Sequence, residues 1–136
     1  MRHYKFRTFL ILTLLWLAIV LLQAFLPGEA SYAESNGVLA LAQVVFPWLT
    51  HSALRRAAHF IEYFLLGFLM TGTFCYARRF TIFKPMFFSL LTALCDESIK
   101  IFVVDRIPQL SDVWVDAAGA LAGILLMWII SAIKKR

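Results

Sequence analysis

Apolar positions in this chain gather into long runs, broken at a few places by turn residues and clusters of charge. The first run, Thr8 to Leu26 (TFLILTLLWLAIVLLQAFL), carries no charge, and Gln23 is its one strongly polar residue. A stretch of that length crosses a ~30 Å hydrocarbon core as a single helix, and Pro27-Gly28 then breaks it. A second run extends from about Ala57 to Ala77, between Arg55-Arg56 and Arg78-Arg79. The third is partly hidden. Pro85 is a natural first-turn residue, but the uncharged stretch from Pro85 to Cys95 reaches only about 17 Å at ~1.5 Å per residue. A spanning helix must therefore continue through Asp96, Glu97 and Lys100 to about Val104. The fourth, Val113 to Ile133, encloses Asp116 and is followed by Lys134-Lys135-Arg136. Between the first two spans, Val38 to Phe46 is apolar except for Gln43 but too short to cross, so an interfacial or re-entrant disposition is predicted. Tyr32 and Trp48 suit anchoring at the membrane surface. The predicted fold is an all-α membrane protein, a single domain over residues 1–136. Its bundle of four transmembrane helices covers about 8–26, 57–77, 85–104 and 113–133.

Composition supports that reading. Of 136 residues, 62% are hydrophobic and 15% charged, and mean hydropathy is +0.80; soluble domains are nearer half apolar and a quarter charged. Little chain remains for a separate soluble catalytic domain. The net charge of +5 does not point to nucleic acid, because the basic residues cluster at apparent membrane edges. Arg2, Lys5 and Arg7 precede the first span, Arg78, Arg79 and Lys84 join the second and third, and three more close the chain. With four spans these fall on one side, which the positive-inside rule makes cytoplasmic. Both termini are then cytoplasmic, and all 8 acidic residues lie in outer loops or outer halves of helices. The N-terminal order of charge then apolar core also fits a signal peptide, with Ser31-Tyr32-Ala33 as a cleavage site. The apolar core is longer than such peptides use, which favours a retained anchor. Cys75 and Cys95 fall at different depths, so no disulfide is expected.

Charges inside hydrocarbon are expensive and call for a partner or a purpose. The second span places Arg55, His59 and Glu62 on one face, at spacings of four and three. The third brings Asp96, Glu97 and Lys100; the outer turn brings Asp105, Arg106 and Asp112; Asp116 follows Asp112 by four. By helical rise these groups lie at similar depths, where they would line one pocket open to the outside. The plainer account is a polar network, with near-balanced charges holding three helices in register. A functional pocket is the sharper one. It divides into a metal site, general acid–base chemistry by His59 with Glu62, and recognition of an anionic or amine-bearing head group. Only His59-x-x-Glu62 has ligand-like spacing, a weak signal on its own, so no metal ligand is assigned. No nucleophile motif or phosphate loop stands out, and Ser98 reads as a packing serine. Ala118-Gly119 and Ala122-Gly123 form a small-xxx-small face for close helix approach, within the bundle or in an oligomer through Gly119 and Gly123.

His59-Phe60-Ile61-Glu62-Tyr63 followed by Leu66-Gly67 resembles the HFxEYxxLG signature of the VanZ-like family. The resemblance continues through Asp96-Glu97, Arg106, Asp112, Gly119 and Gly123, over roughly residues 50–130. Lys100 departs from it where glutamine is common, and Asp116 where asparagine is common. The resemblance implies a multi-pass protein of the bacterial cytoplasmic membrane, related to one giving low-level resistance to teicoplanin, a lipoglycopeptide acting outside the membrane. The expected partners are membrane lipids and a lipid-linked cell-wall precursor or lipoglycopeptide, with no nucleic acid; any cofactor is unknown. In a binding role, Arg55 and Arg106 hold an anionic head group, Glu62, Glu97 and Asp112 position them, and Asp96, Lys100 and Asp116 complete the site. In a hydrolase or transferase, His59 transfers the proton, Glu62 orients it, and Arg106 stabilises the developing charge. A lipid transporter is a third class.

Overall fold

In a computed structural model the chain is described over residues 2–77 and 81–134, with the side chains of Arg2 and Glu34 left aside. The basic clusters Arg78-Arg79 and Lys135-Arg136 of the topology argument lie outside the described residues. Those described form five helices and no strand: α1 (Arg2–Ala24), α2 (Gly28–Val45), α3 (His51–Tyr76), α4 (Phe83–Lys100) and α5 (Leu110–Ile133). Three are long and apolar enough to cross a membrane, namely His3–Ala24, His51–Tyr76 and Leu110–Ile133.

The boundaries have local causes. Thr50 accepts a hydrogen bond from the Ala53 N–H at 3.3 Å, an N-cap that starts α3 at His51 rather than near Ala57. Arg55 and Arg56 therefore lie on the helix instead of at its entrance. The predicted third span stops at Lys100 instead of Val104. Its 18 residues extend about 27 Å, and the chain turns through Ile101 to Asp105, where Asp105 takes φ 58°. The stretch Val38–Phe46, predicted as a short interfacial or re-entrant segment, forms the second half and C-cap of an 18-residue helix that begins at Gly28. Pro27 is its N-cap, and Glu29 in the first turn complements the helix dipole.

α3 and α5 form the central pair and approach through backbone. A Cβ at Gly67 would meet the Ala120 carbonyl, one at Gly119 the Phe60 carbonyl, and one at Gly123 the Phe64 carbonyl. The small face of α5 is thus packed against α3 of the same chain. α1 lies against α3, with the Trp16 indole N–H donating to the Glu62 carbonyl at 2.9 Å and Thr13 paired with Thr73 at 3.0 Å. Val20, Tyr63, Leu66, Met70, Ala93 and Ala120 form the buried core. Outward faces are apolar too: Leu15, Leu22, Phe87, Trp114 and Ile133 are all exposed, as a lipid-facing surface requires. The C-terminal ends of α1 and α4 and the N-terminal ends of α3 and α5 meet at one end of the bundle.

Candidate functional site

Helix periodicity presents the polar side chains, and the α3–α5 contact sets which of them meet. Arg55 and His59, one turn apart on α3, face Asp112 and Asp116, one turn apart on α5. The Arg55 Nη2 donates to Asp112 Oδ2 at 2.9 Å, and His59 Nδ1 lies 3.0 Å from Asp116 Oδ1. His59 Nε2 is 3.8 Å from Asp112 Oδ2, so this imidazole sits between two carboxylates of α5. If Asp116 is ionised, the proton on the ring belongs on Nδ1, since a carboxylate can only accept.

At the end of α4, Lys100 Nζ lies 2.7 Å from Asp96 Oδ2 and 2.5 Å from Glu97 Oε1. The other oxygen of Glu97 accepts the backbone N–H of Gln109 at 2.7 Å, tying the end of α4 to the start of α5. These groups are deep. Lys100 is 2% exposed, Asp112 3%, Asp96 4%, Glu97 7% and Asp116 0%. Tyr63 Oη and Asp116 Oδ2 are sealed from solvent without a hydrogen bond from the described residues. One donor atom each from His59, Asp96 and Asp116 fall within 4.8 Å of one another.

Over this layer lies a cavity of about 590 Å³. Arg55, His59, Glu62, Asp96, Lys100 and Asp112 line its inner wall, whereas Glu97 and Asp116 stand behind it. The Glu62 carboxylate faces the cavity without a hydrogen bond or ion pair from the described residues; the hydrogen-bonded partner of His59 is Asp116 instead. Arg106 also lines the cavity, but it reaches back to backbone: its Nε donates to the Leu26 carbonyl at 3.0 Å and its Nη2 to the Gln23 carbonyl at 3.1 Å. Burial, and then the charge of Arg55, pull the Arg106 guanidinium below its usual pKa, against the opposing pull of Asp96 and Glu97. Arg56, also on the lining, makes no ion pair with a described carboxylate.

The outer wall is built by residues outside the sequence-predicted site. Ser31, Tyr32 and Ser35 of α2 line the cavity with His51 of α3, and the Tyr32 and His51 rings stack at 4.4 Å. Gly28 N donates to the Val104 carbonyl at 3.1 Å, so the α1–α2 corner is fastened to the α4–α5 connection. No sequence spacing announces these residues; their polarity within an otherwise apolar chain is the one signal they carry.

A model of the VanZ/LLP1 family matches residues 9–131. No curated protein and no solved structure matches the chain.

Proposed function

The chain belongs to the VanZ/LLP1 family, and on that premise we propose that it is a multi-pass protein of the bacterial cytoplasmic membrane whose extracytoplasmic pocket binds the anionic head group of a lipid-linked or amphiphilic ligand. Through that ligand it acts in cell-envelope or lipoglycopeptide (teicoplanin) resistance. In this reading α1, α3, α4 and α5 cross the membrane with both termini cytoplasmic, and α2 lies along the outer surface.

The observation that carries the reading is the character of the cavity: about 590 Å³, with Arg56 and Arg106 on its lining and neither in an ion pair with a described carboxylate. Arginines not already neutralised suit a phosphate or carboxylate, which they grip through several N–H donors at once. Apolar faces of the surrounding helices offer a place for the lipid tail.

Two measurements test it. Native mass spectrometry with a polyprenyl phosphate should give a one-to-one adduct that Arg56→Ala weakens and that the uncharged polyprenol does not form. Equal adducts with phosphate and alcohol would overturn head-group recognition. In cells lacking the protein, re-expression at matched membrane levels should lower teicoplanin susceptibility, and Arg56→Ala or Asp112→Asn should remove that protection. The His59–Asp116 hydrogen bond at 3.0 Å favours a second reading, a hydrolase or transferase in which Asp116 holds His59 for proton transfer. Conversion of the bound lipid phosphate would select it.

A further inference from the structure

Among the buried charged groups of this layer, Asp96, Glu97, Asp112 and Asp116 face one cation, Lys100, with Arg55 reaching in from the half-exposed rim. Glu62 adds a further carboxylate on the cavity side. Carboxylates withdrawn from water need either a proton or compensating charge, and Lys100 with Arg55 supplies less charge than four ionised carboxylates would carry. Around His59, carboxylates of α4 and α5 converge on one imidazole.

We propose that His59, Asp96 and Asp116 bind a divalent transition-metal ion such as Zn²⁺ or Mn²⁺ at the floor of the pocket. The three residues come from α3, α4 and α5, and a donor atom of each already lies within 4.8 Å of the others. Ligands at about 2.0–2.2 Å from one ion stand roughly 3–4 Å apart, so adjustments of about 1 Å or less bring them into coordination. An independent sign of a ligand is Asp116 Oδ2. It belongs to a carboxylate with no exposure, and no hydrogen bond from the described residues satisfies it. Such an atom is ordinarily paired, and an ion satisfies it directly. Lys100 does not fill this role. It engages Asp96 at Oδ2 and spends its other contact on Glu97, leaving the second oxygen of Asp96 for the metal.

One imidazole nitrogen with carboxylate oxygens matches borderline transition ions better than Mg²⁺ or Ca²⁺, which prefer all-oxygen surroundings. His59 and Asp96 line the cavity, so remaining coordination positions open toward a bound head group. The ion site shares the pocket of the proposed function but stands without it, because binding is measured with metal alone; head-group binding is measured separately in chelator-treated protein.

The experiment uses untagged full-length protein in nanodiscs, stripped with a chelator and titrated with Mn²⁺ under electron paramagnetic resonance. One Mn²⁺ should bind per chain, be displaced by Zn²⁺, and show electron spin-echo modulation from a directly bound nitrogen. His59→Ala and Asp116→Asn should each weaken binding at least tenfold. Lys100→Gln should strengthen it, by removing a competing cation. Because a variant at this layer can fail to fold, the decisive sample is His3→Ala/His51→Ala, in which His59 is the one remaining imidazole. Nitrogen modulation there establishes the ligand. No binding of Mn²⁺ or Zn²⁺ by wild type up to millimolar ion, or bound Mn²⁺ without nitrogen modulation, would overturn the proposal.

Discussion

Replacing Lys100 by glutamine removes the one fully buried cation of the site and tests the electrostatic reading most directly. The ammonium sits 2.7 Å from Asp96 and 2.5 Å from Glu97, and it is 2% exposed. At an effective dielectric near 20, each such contact has a gross attraction of roughly 6 kcal/mol, much of it offset by desolvation. Breaking a buried pair from one side costs about 3–5 kcal/mol, because the abandoned charge stays buried. Glutamine keeps an N–H donor for one carboxylate, so a loss near the lower end, about 3 kcal/mol, is expected. Adding Asp116→Asn removes one carboxylate from the same layer and should return part of that loss as a coupling of about 1–2 kcal/mol, within the usual range for residues sharing a network. The assay is reversible unfolding in mixed micelles with increasing SDS, followed by tryptophan fluorescence, with chelator present so that no ion contributes. A Lys100→Gln protein within about 0.5 kcal/mol of wild type, the spread of ordinary surface changes, would refute the argument. So would strict additivity of the double variant.

Other perturbations probe separate parts of the structure. Gly123→Ala should cost about 1–3 kcal/mol by overpacking, since the added methyl meets the Phe64 carbonyl and comes within 2.9 Å of Phe68 N, backbone atoms that cannot turn aside; SDS unfolding reads it. Trp16→Phe should cost about 1 kcal/mol for its hydrogen bond, in the same unfolding assay, with little effect on head-group binding. Arg106→Met should leave the helices in place but raise amide exchange at Gly28 and Leu26, a local loosening that mass spectrometry detects. For topology, a cysteine at Ser52 in a background lacking Cys75 and Cys95 should react with an impermeant maleimide in intact cells, whereas one at Lys134 should react only after lysis. Equal labelling would remove the proposed orientation.

Runs of apolar residues were enough to locate α1, α3 and α5, because the bilayer imposes a length that composition alone reveals. α4 is less plain: its apolar run is too short to span unless the helix continues through Asp96, Glu97 and Lys100, and nothing in Ile101–Val104 forbids helix beyond its observed end at Lys100. The helix α2 was seen only in its apolar second half. Its first half, GEASYAES, is polar enough to read as a loop, and Pro27-Gly28 marks both the end of one helix and the cap of the next. In the site, same-helix spacing was legible: Arg55, His59 and Glu62 share one face, as do Asp112 and Asp116. Pairing between helices was not. Whether His59 meets Glu62, Asp112 or Asp116 depends on how α3 is rotated against α5, and Gly67, Gly119 and Gly123 set that rotation through backbone contact. Arg106 shows the same limit. Its charge marked it as a ligand-binding candidate, while its hydrogen-bond partners are carbonyls that no side-chain pattern advertises.

The fastening by Arg106 also orders the assembly of the protein in time. Its two hydrogen bonds join positions 80 and 83 residues apart, so α1 is made and inserted long before the side chain that secures its end has left the ribosome. At roughly 5–20 residues per second, that interval lasts about 4–16 s. During it the α1–α2 corner has no partner at Val104 or Arg106, and the polar face of α2 is without its wall. The pocket closes only when the α4–α5 connection arrives. A nascent chain stalled just before that point would expose the corner to membrane proteases and insertion chaperones. One whose α4–α5 connection has emerged and docked on the corner would not.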